Sequence, residues 1–233
     1  MLRLDLFGGD WPVKRILCLG AHCDDIEIGC GGTLLRLLED APSEGAGTHP
    51  DRQGGETRGL EIAWVVFSSD ETRARETRAG AELFLRGARS RTITVHDFRD
   101  GFLPEHWSRV KEAFEKAKRE FMPDLVFTHY RHDLHQDHRI VSELTWNTFR
   151  DQLILEYEIP KWDGDMGNPN FFVQLDEGLA RRKAAGLLEC YGSQAAKPWF
   201  GEDTFLSLMR LRGMEANSLG KFAEGFYCRK LRI

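Results

Sequence analysis

Long apolar runs are missing from this 233-residue sequence. No run approaches the roughly 20 residues that a helix needs to cross a bilayer. The opening stretch, MLRLDLFGGDWPVKR, also lacks the apolar core and the small-residue cleavage site of a signal peptide. We therefore expect no membrane insertion and a cytoplasmic location.

Cysteine is scarce, and the chain has no basic excess. The five cysteines are odd in number and form no Cys-x-x-Cys pair, which argues against a disulfide framework and a structural zinc knuckle. The net charge is −5, and the basic residues are spread along the chain, so nothing indicates nucleic-acid binding. With 41% hydrophobic residues, we expect one globular domain over residues 1–233.

Short β-rich runs alternate with helix-like stretches along the chain. The predicted strands are 15–20, 61–69, 91–97, 124–130 and a closing strand in 221–233. The predicted helices are 31–40, 71–87, 104–121, 176–192 and 202–220. This alternation predicts an α/β fold, a Rossmann-like three-layer sandwich with a mostly parallel sheet.

Two polar segments interrupt this alternation. Residues 41–60 are rich in Gly and Pro and are expected to form a lid, a binding loop or a disordered segment. Residues 160–170 have turn chemistry around Trp162. For Trp162, Phe171 and Phe172 we expect packing in the core or on the sheet, with a wall for a substrate as the alternative.

Chemically active side chains follow the predicted strands where each strand ends. In an open parallel sheet, the ligand crevice lies outside these carboxyl ends. His22, Asp24 and Asp25 follow the first run, and THYRHDLHQDHR (128–139) follows the fourth. The second stretch carries four histidines and two aspartates, namely His129, His132, His135, His138, Asp133 and Asp137. We expect all of them at one rim of the sheet.

Histidine combined with carboxylate suits zinc or ferrous iron better than magnesium or calcium. His22, Asp25 and one histidine of the second stretch would leave a coordination position for water, as in a catalytic site. Two simpler interpretations stay open. Asp24 and Asp25 could cap a helix, and GCGG (29–32) could be the phosphate-binding turn of a nucleotide-binding module.

Two motifs carry a resemblance to a known family. AHCDDIEIGCGGTLL (21–35) resembles the Ala-His-Pro-Asp-Asp signature of the PIG-L (LmbE-like) N-acetylglucosamine deacetylases, and HQDH (135–138) resembles their His-x-Asp-His motif. The resemblance implies metal-dependent removal of the acetyl group from an N-acetylglucosamine-type sugar or glycoconjugate. It is weak after residue 150. Cys23 replaces the usual Pro, and Glu27 stands one place after the usual Glu; we expect Glu27 to be a helix-start carboxylate.

The same resemblance implies a role for each site residue. It implies Zn²⁺, with Fe²⁺ or another divalent transition metal as alternatives, on three ligands. The implied ligands are His22, Asp25 and His138.

Beside the metal the resemblance implies Asp24 as the general base. It implies that His135 polarises the carbonyl or protonates the leaving amine, and that Asp137 orients His135. Arg73 and Asp100 are the two implied sugar contacts.

Alternatives remain for the substrate and for the two sugar contacts. The chemistry would equally serve a metal-dependent amidase or esterase acting on a non-sugar substrate. Arg73 could belong to a solvated charged face, and Asp100, in an Asp-Gly pair, could only build a turn. We expect a small-molecule N-acetylated sugar or glycoconjugate as partner, and a homo-oligomer stays open.

Overall fold

Seven strands form one sheet in the part of the chain that a computed structural model describes, residues 4–8, 12–42 and 58–231. In chain order they are β1 (Arg15–Gly20), β2 (Arg58–Ser68), β3 (Ala88–Phe98), β4 (Leu125–His129), β5 (Leu153–Tyr157), β6 (Phe171–Leu175) and β7 (Phe222–Cys228). Their order across the sheet is β3-β2-β1-β4-β5-β7-β6. The first five strands are parallel, whereas β7 is antiparallel to both β5 and β6. The mostly parallel sheet is confirmed.

Helices cover both faces of this sheet. They are α1 (Asp25–Asp40), α2 (Glu71–Phe84), α3 (Trp107–Glu120), α4 (Gln136–Thr148), α5 (Glu177–Cys190) and α6 (Glu202–Glu215). Successive β1 side chains point to opposite faces. Ile16 packs in the core formed with α1, α2 and α5, and Leu17 packs in the core formed with α3 and α4. The three-layer α/β architecture is therefore confirmed.

Several element boundaries differ from the sequence predictions. Helix α1 begins at Asp25 rather than at residue 31, and β2 begins at Arg58. The sequence patterns also missed α4, β5 and β6. The predicted segment 160–170 is irregular, as expected. Residues 43–57, most of the segment 41–60 expected to be a lid, a binding loop or disordered, lie outside the described residues. Within the described ranges, no helix combines the length and apolar character that membrane crossing requires.

The GCGG stretch lies buried inside α1 and allows close packing. A Cβ on Gly29 would lie 2.2 Å from the ring of Tyr157 in β5, and one on Gly31 would lie 2.8 Å from the ring of Phe84 in α2. Gly32 donates its backbone N–H to Glu224, the partner of Lys183. These buried glycines serve helix packing, so the interpretation as a phosphate-binding turn is wrong.

Candidate active site

The loops after β1 and β4 open at the same edge of the sheet, because these strands are parallel neighbours. His22 follows β1, and Asp25 is the first residue of α1. His138 lies in the first turn of α4, which begins shortly after β4. The strand and helix boundaries thus bring together residues that are far apart in the sequence.

The three predicted metal ligands lie in mutual contact. His22 Nδ1 is 3.1 Å from His138 Nε2 and 3.4 Å from Asp25 Oδ2. His138 Nε2 is 3.6 Å from Asp25 Oδ1. Donor atoms at the usual zinc–ligand distances of a tetrahedral site are about 3.4 Å apart. Two nitrogens and one carboxylate at this spacing fit a divalent transition metal.

The three predicted ligands differ in the direction of their pKa shifts. Burial and the charge of His129 lower the pKa of His138 to about 4, although Asp25 and Asp133 oppose this shift. Burial opposes ionisation of Asp25, but His138, His129 and His22 outweigh it and hold the pKa of that carboxyl well below its usual value. Near neutral pH His138 is therefore a neutral imidazole and Asp25 an ionised carboxylate. Burial opposes protonation of His22, but Asp25, Asp100 and Asp137 outweigh it and raise the pKa of His22 well above its usual value, so metal binding to His22 would release a proton.

His129 and His135 adjoin the same cluster. The buried His129 ring stacks on His138 at 3.9 Å between centroids, and its Nε2 is 3.2 Å from Asp25 Oδ2. The His135 ring lies 4.8 Å from that of His22. Among the described residues, three other groups that overlap the predicted ligand trio also have donor atoms close enough to hold a metal: His22, His135 and His138; Asp25, His129 and His138; and His22, Asp100 and Asp137. His22 and His138 each belong to two of these groups.

Asp24 is placed differently from Asp25. It occupies the N-cap position of α1, but its side chain makes no capping hydrogen bond; the helix-cap interpretation of this residue is therefore wrong. Its backbone has a φ of 123°, which costs about 1–3 kcal/mol for a residue other than glycine and is typical of functional sites. Burial raises the pKa of Asp24 to about 7, while Arg73 lowers it.

Arg73 faces this carboxylate from the first turn of α2. Its Nη2 is 3.0 Å from Asp24 Oδ1 and also donates to the Cys23 carbonyl. The backbone N–H of Arg73 donates to Asp70, which caps the helix. The guanidinium is thus directed into the site, so Arg73 does not belong to a solvated face.

Asp137 connects α4 to the loop that carries Asp100. The Asp137 carboxylate accepts hydrogen bonds from the backbone N–H groups of Gly101 and Leu103, and Oδ2 lies 3.2 Å from His22 Nε2. The contact to His135 is made by the Asp137 backbone N–H, 3.3 Å from Nδ1. The carboxylate expected to orient His135 is therefore engaged with the loop and with His22.

Asp100 stands at the opening of the site. Its side chain is 80% exposed, and Oδ1 is 3.1 Å from His22 Nε2. The hydrogen bond from His22 outweighs partial burial and lowers the pKa of Asp100. An exposed carboxylate one contact from a candidate ligand is placed to meet a bound molecule.

Of three other side chains, only one departs from what the sequence suggested. Glu27 lies in the first turn of α1, as expected for a helix-start carboxylate, and there it is buried and accepts a hydrogen bond from the Tyr191 hydroxyl. Trp162 is 79% exposed and is not a core residue. Phe171 does pack against the sheet core, as expected.

Sequence reasoning missed the partners behind His138. Asp133 Oδ2 is 2.8 Å from His138 Nδ1 and 2.9 Å from Lys161 Nζ. Burial raises the pKa of Asp133, but the hydrogen bond from His138 and the nearby positive charges outweigh it and hold the pKa well below its usual value. The dense His and Asp spacing in 128–139 is a signal for Asp133, whereas no sequence pattern marked Lys161.

The fold and the site define the chain as an α/β protein with a His and Asp cluster, a candidate metal centre, at the carboxyl edge of its parallel strands. The model of the PIG-L family, described as GlcNAc-PI de-N-acetylase, matches residues 17–149, more than half of the chain. The chain belongs to the PIG-L family. This confirms the resemblance carried by the two motifs.

Individual proteins of known sequence or structure are also similar to this chain. An uncharacterized deacetylase of Escherichia coli, YaiS, is 29% identical over 189 residues, which are 75% of this chain and 89% of that protein. N,N'-diacetylchitobiose deacetylase from Pyrococcus horikoshii has a TM-score of 0.63 at 21% identity, covering 93% of this chain and 84% of its own. GalB, the 4-carboxy-2-hydroxymuconate hydratase of Pseudomonas putida, has a TM-score of 0.68 at 16% identity, covering 94% and 98%. The two structures share the fold.

Proposed function

We propose that this member of the PIG-L deacetylase family is a metal-dependent hydrolase that removes the acetyl group from an N-acetylglucosamine-type sugar or glycoconjugate. The observation that carries the proposal is the contact among His22, Asp25 and His138, at the spacing of donor atoms around one ion. Membership of the family supports hydrolysis of an N-acetyl group. Because GalB, a hydratase, has the same fold, the fold alone does not identify the reaction.

His22, Asp25 and His138 would hold the metal, which we propose to be Zn²⁺, with Fe²⁺ or another divalent transition metal as alternatives. When bound, such an ion lowers the pKa of a water molecule towards 7 and polarises a carbonyl group. The rest of the chemistry falls to protein groups around the three ligands. Two of them, Asp24 and His135, lie beside the ligands in the same site.

Asp24 is proposed as the general base. Its carboxylate is next in sequence to Asp25 but contacts Arg73 instead of the ligand cluster. The ion pair with Arg73 fixes the direction of the carboxylate, which then accepts one proton from the attacking water. The oxygen of that water forms a bond to the amide carbon, and the carbonyl becomes an oxyanion.

His135 is proposed to stabilise that oxyanion. Because His135 Nδ1 accepts the Asp137 backbone N–H, the neutral ring carries its proton on Nε2 and can donate a hydrogen bond from this N–H to the carbonyl oxygen. When the C–N bond breaks, the amine nitrogen takes either the proton that Asp24 accepted from the water or a proton from the protonated form of His135. The products are acetate and the free amine.

Arg73 and Asp100 are proposed to bind the sugar. Both flank the cluster, Arg73 at Asp24 and Asp100 at His22. Charged groups that hydrogen-bond hydroxyls discriminate strongly against analogues that lack those hydroxyls. The two residues would therefore select a sugar over a simple amide.

Acetate release from a panel of substrates tests the proposal. The panel contains N-acetylglucosamine, N,N'-diacetylchitobiose, N-acetyl amino acids and simple acetyl esters, each with zinc-loaded and metal-free protein. We expect release from the N-acetyl sugars by the loaded protein alone. Release from the amino acids or esters but not from the sugars would favour a non-sugar amidase or esterase, and equal release without metal would refute the metal-dependent mechanism.

A further inference from the structure

A buried carboxylate and a buried ammonium group lie behind His138. Asp133 Oδ2 is 2.8 Å from His138 Nδ1 and 2.9 Å from Lys161 Nζ. The Asp133 and Lys161 side chains are 3% and 12% exposed. Charges this well shielded from water and salt act on each other more strongly than surface charges do.

Asp133 determines which nitrogen of His138 is available to a metal. The hydrogen bond to Asp133 keeps the proton of the neutral ring on Nδ1, so Nε2 carries the lone pair. Nε2 is the atom that faces His22 and Asp25. A carboxylate in this position fixes the ring and makes the histidine a stronger ligand.

Lys161 is held against Asp133 by its own segment. It lies between β5 and β6, beyond the region 17–149 that matches the family. Asp165 Oδ1 is 2.6 Å from Lys161 Nζ, and Asp165 Oδ2 accepts the backbone N–H of Leu134 at 2.6 Å. Because Leu134 follows Asp133 in the chain, Asp165 binds the backbone next to Asp133, and the two carboxylates that pair with the Lys161 ammonium group are held side by side.

We infer that Lys161 sets the metal affinity of the site by opposing the charge of Asp133, an inference that rests on the proposed metal-dependent function. The negative charge of Asp133 strengthens His138 as a metal ligand, and the positive charge of Lys161 reduces this strengthening. Lys161 acts through Asp133 and His138, and is therefore a positioning residue. A segment outside the family-matched region thus tunes a metal site inside it.

Zinc affinity of the full-length protein tests this inference. Metal-free protein is titrated with Zn²⁺ in competition with a chromophoric chelator. Asp133→Asn should weaken zinc binding roughly 10- to 100-fold, as for other partners of metal-bound histidines. Lys161→Met should strengthen it at least about fourfold, because this is the Coulomb effect of a single and a double charge about 10 Å apart in a water-like dielectric, the lower limit for charges shielded from water.

Two further variants serve as controls. Lys161→Arg keeps the charge and should keep the wild-type affinity. Lys111→Met removes another lysine that is paired with a carboxylate, Glu115, but on α3, and should leave zinc affinity unchanged. If Asp133→Asn does not fold, the two Lys161 variants decide by themselves.

The sign of the Lys161→Met effect separates charge from structure. If the pair only supported the fold, both Asp133→Asn and Lys161→Met would weaken zinc binding. Unchanged or weaker binding by Lys161→Met would therefore overturn the inference while leaving the proposed function intact. Failure of the wild-type protein to bind zinc would overturn both.

Discussion

Replacing Asp24 by Asn removes a negative charge without changing the size of the side chain. Asn is also among the residues that best tolerate a positive φ, so it suits the φ of 123° at this position. Burial penalises the ionised carboxylate, but the change also leaves the Arg73 guanidinium without its charge partner, which destabilises the fold. The unfolding free energy is therefore measured beside kcat, so that loss of activity is separated from misfolding.

The expected effect of Asp24→Asn is specific to the chemical step. The metal ligands keep their contacts, so zinc should stay bound, while kcat should fall roughly 100- to 10,000-fold, the usual loss when a general base is removed. This corresponds to about 3–5 kcal/mol in the activation free energy. Added zinc should not restore the activity.

Asp25→Asn is the matched comparison at the adjacent residue. It replaces an anionic ligand, in contact with three histidines, by a neutral amide, so zinc affinity should fall and excess zinc should recover part of the activity. Metal content and kcat are measured on both variants. Zinc lost from Asp24→Asn and retained by Asp25→Asn would show that the two roles are exchanged, and wild-type behaviour of both would refute the proposed site.

Three further outcomes are expected. His135→Ala should lower kcat while zinc content stays near one ion per chain; loss of zinc would instead make His135 a ligand. Arg73→Ala and Asp100→Ala should each lower kcat/KM for an N-acetyl sugar without loss of zinc, because each removes an interaction worth about 1–3 kcal/mol. Wild-type kinetics would exclude these residues from sugar binding. Gly29→Ala places a Cβ 2.2 Å from the Tyr157 ring and should lower the unfolding free energy by about 1–3 kcal/mol. The control, Gly192→Ala, has nothing within 4 Å of the added Cβ and should change the unfolding free energy little. Equal stability of the two variants would contradict the packing role of Gly29.

Strands β1, β2 and β4 of the parallel part of the sheet could be predicted because they are largely buried runs separated by helical patterns. The start of α1 could not, because three of the residues at 29–32 are glycines, which normally lower helix propensity. Close packing of Gly29 and Gly31 against Tyr157 and Phe84 compensates for that cost. Such tertiary contacts are not visible in local sequence.

The candidate site, like the fold, could be predicted only in part from the sequence. His22 and Asp25 could be expected beside one histidine of residues 128–139, because ligand sites form at the carboxyl ends of parallel strands, whereas the choice of His138 came from the resemblance to the PIG-L family. The contacts of Asp137 with Gly101 and Leu103 depend on the path of the loop after β3, which no spacing encodes. Lys161 reaches Asp133 from a separate segment, so only the folded chain brings them together.

Titration of metal-free protein with Zn²⁺, while acetate release from N,N'-diacetylchitobiose or N-acetylglucosamine is followed, tests the central claim most directly. Activity should be absent at the start and should rise to its maximum at about one zinc ion per chain, the stoichiometry of a single three-ligand site. The same titration of His138→Ala should give no such rise. Full acetate release before any metal is added would contradict the account.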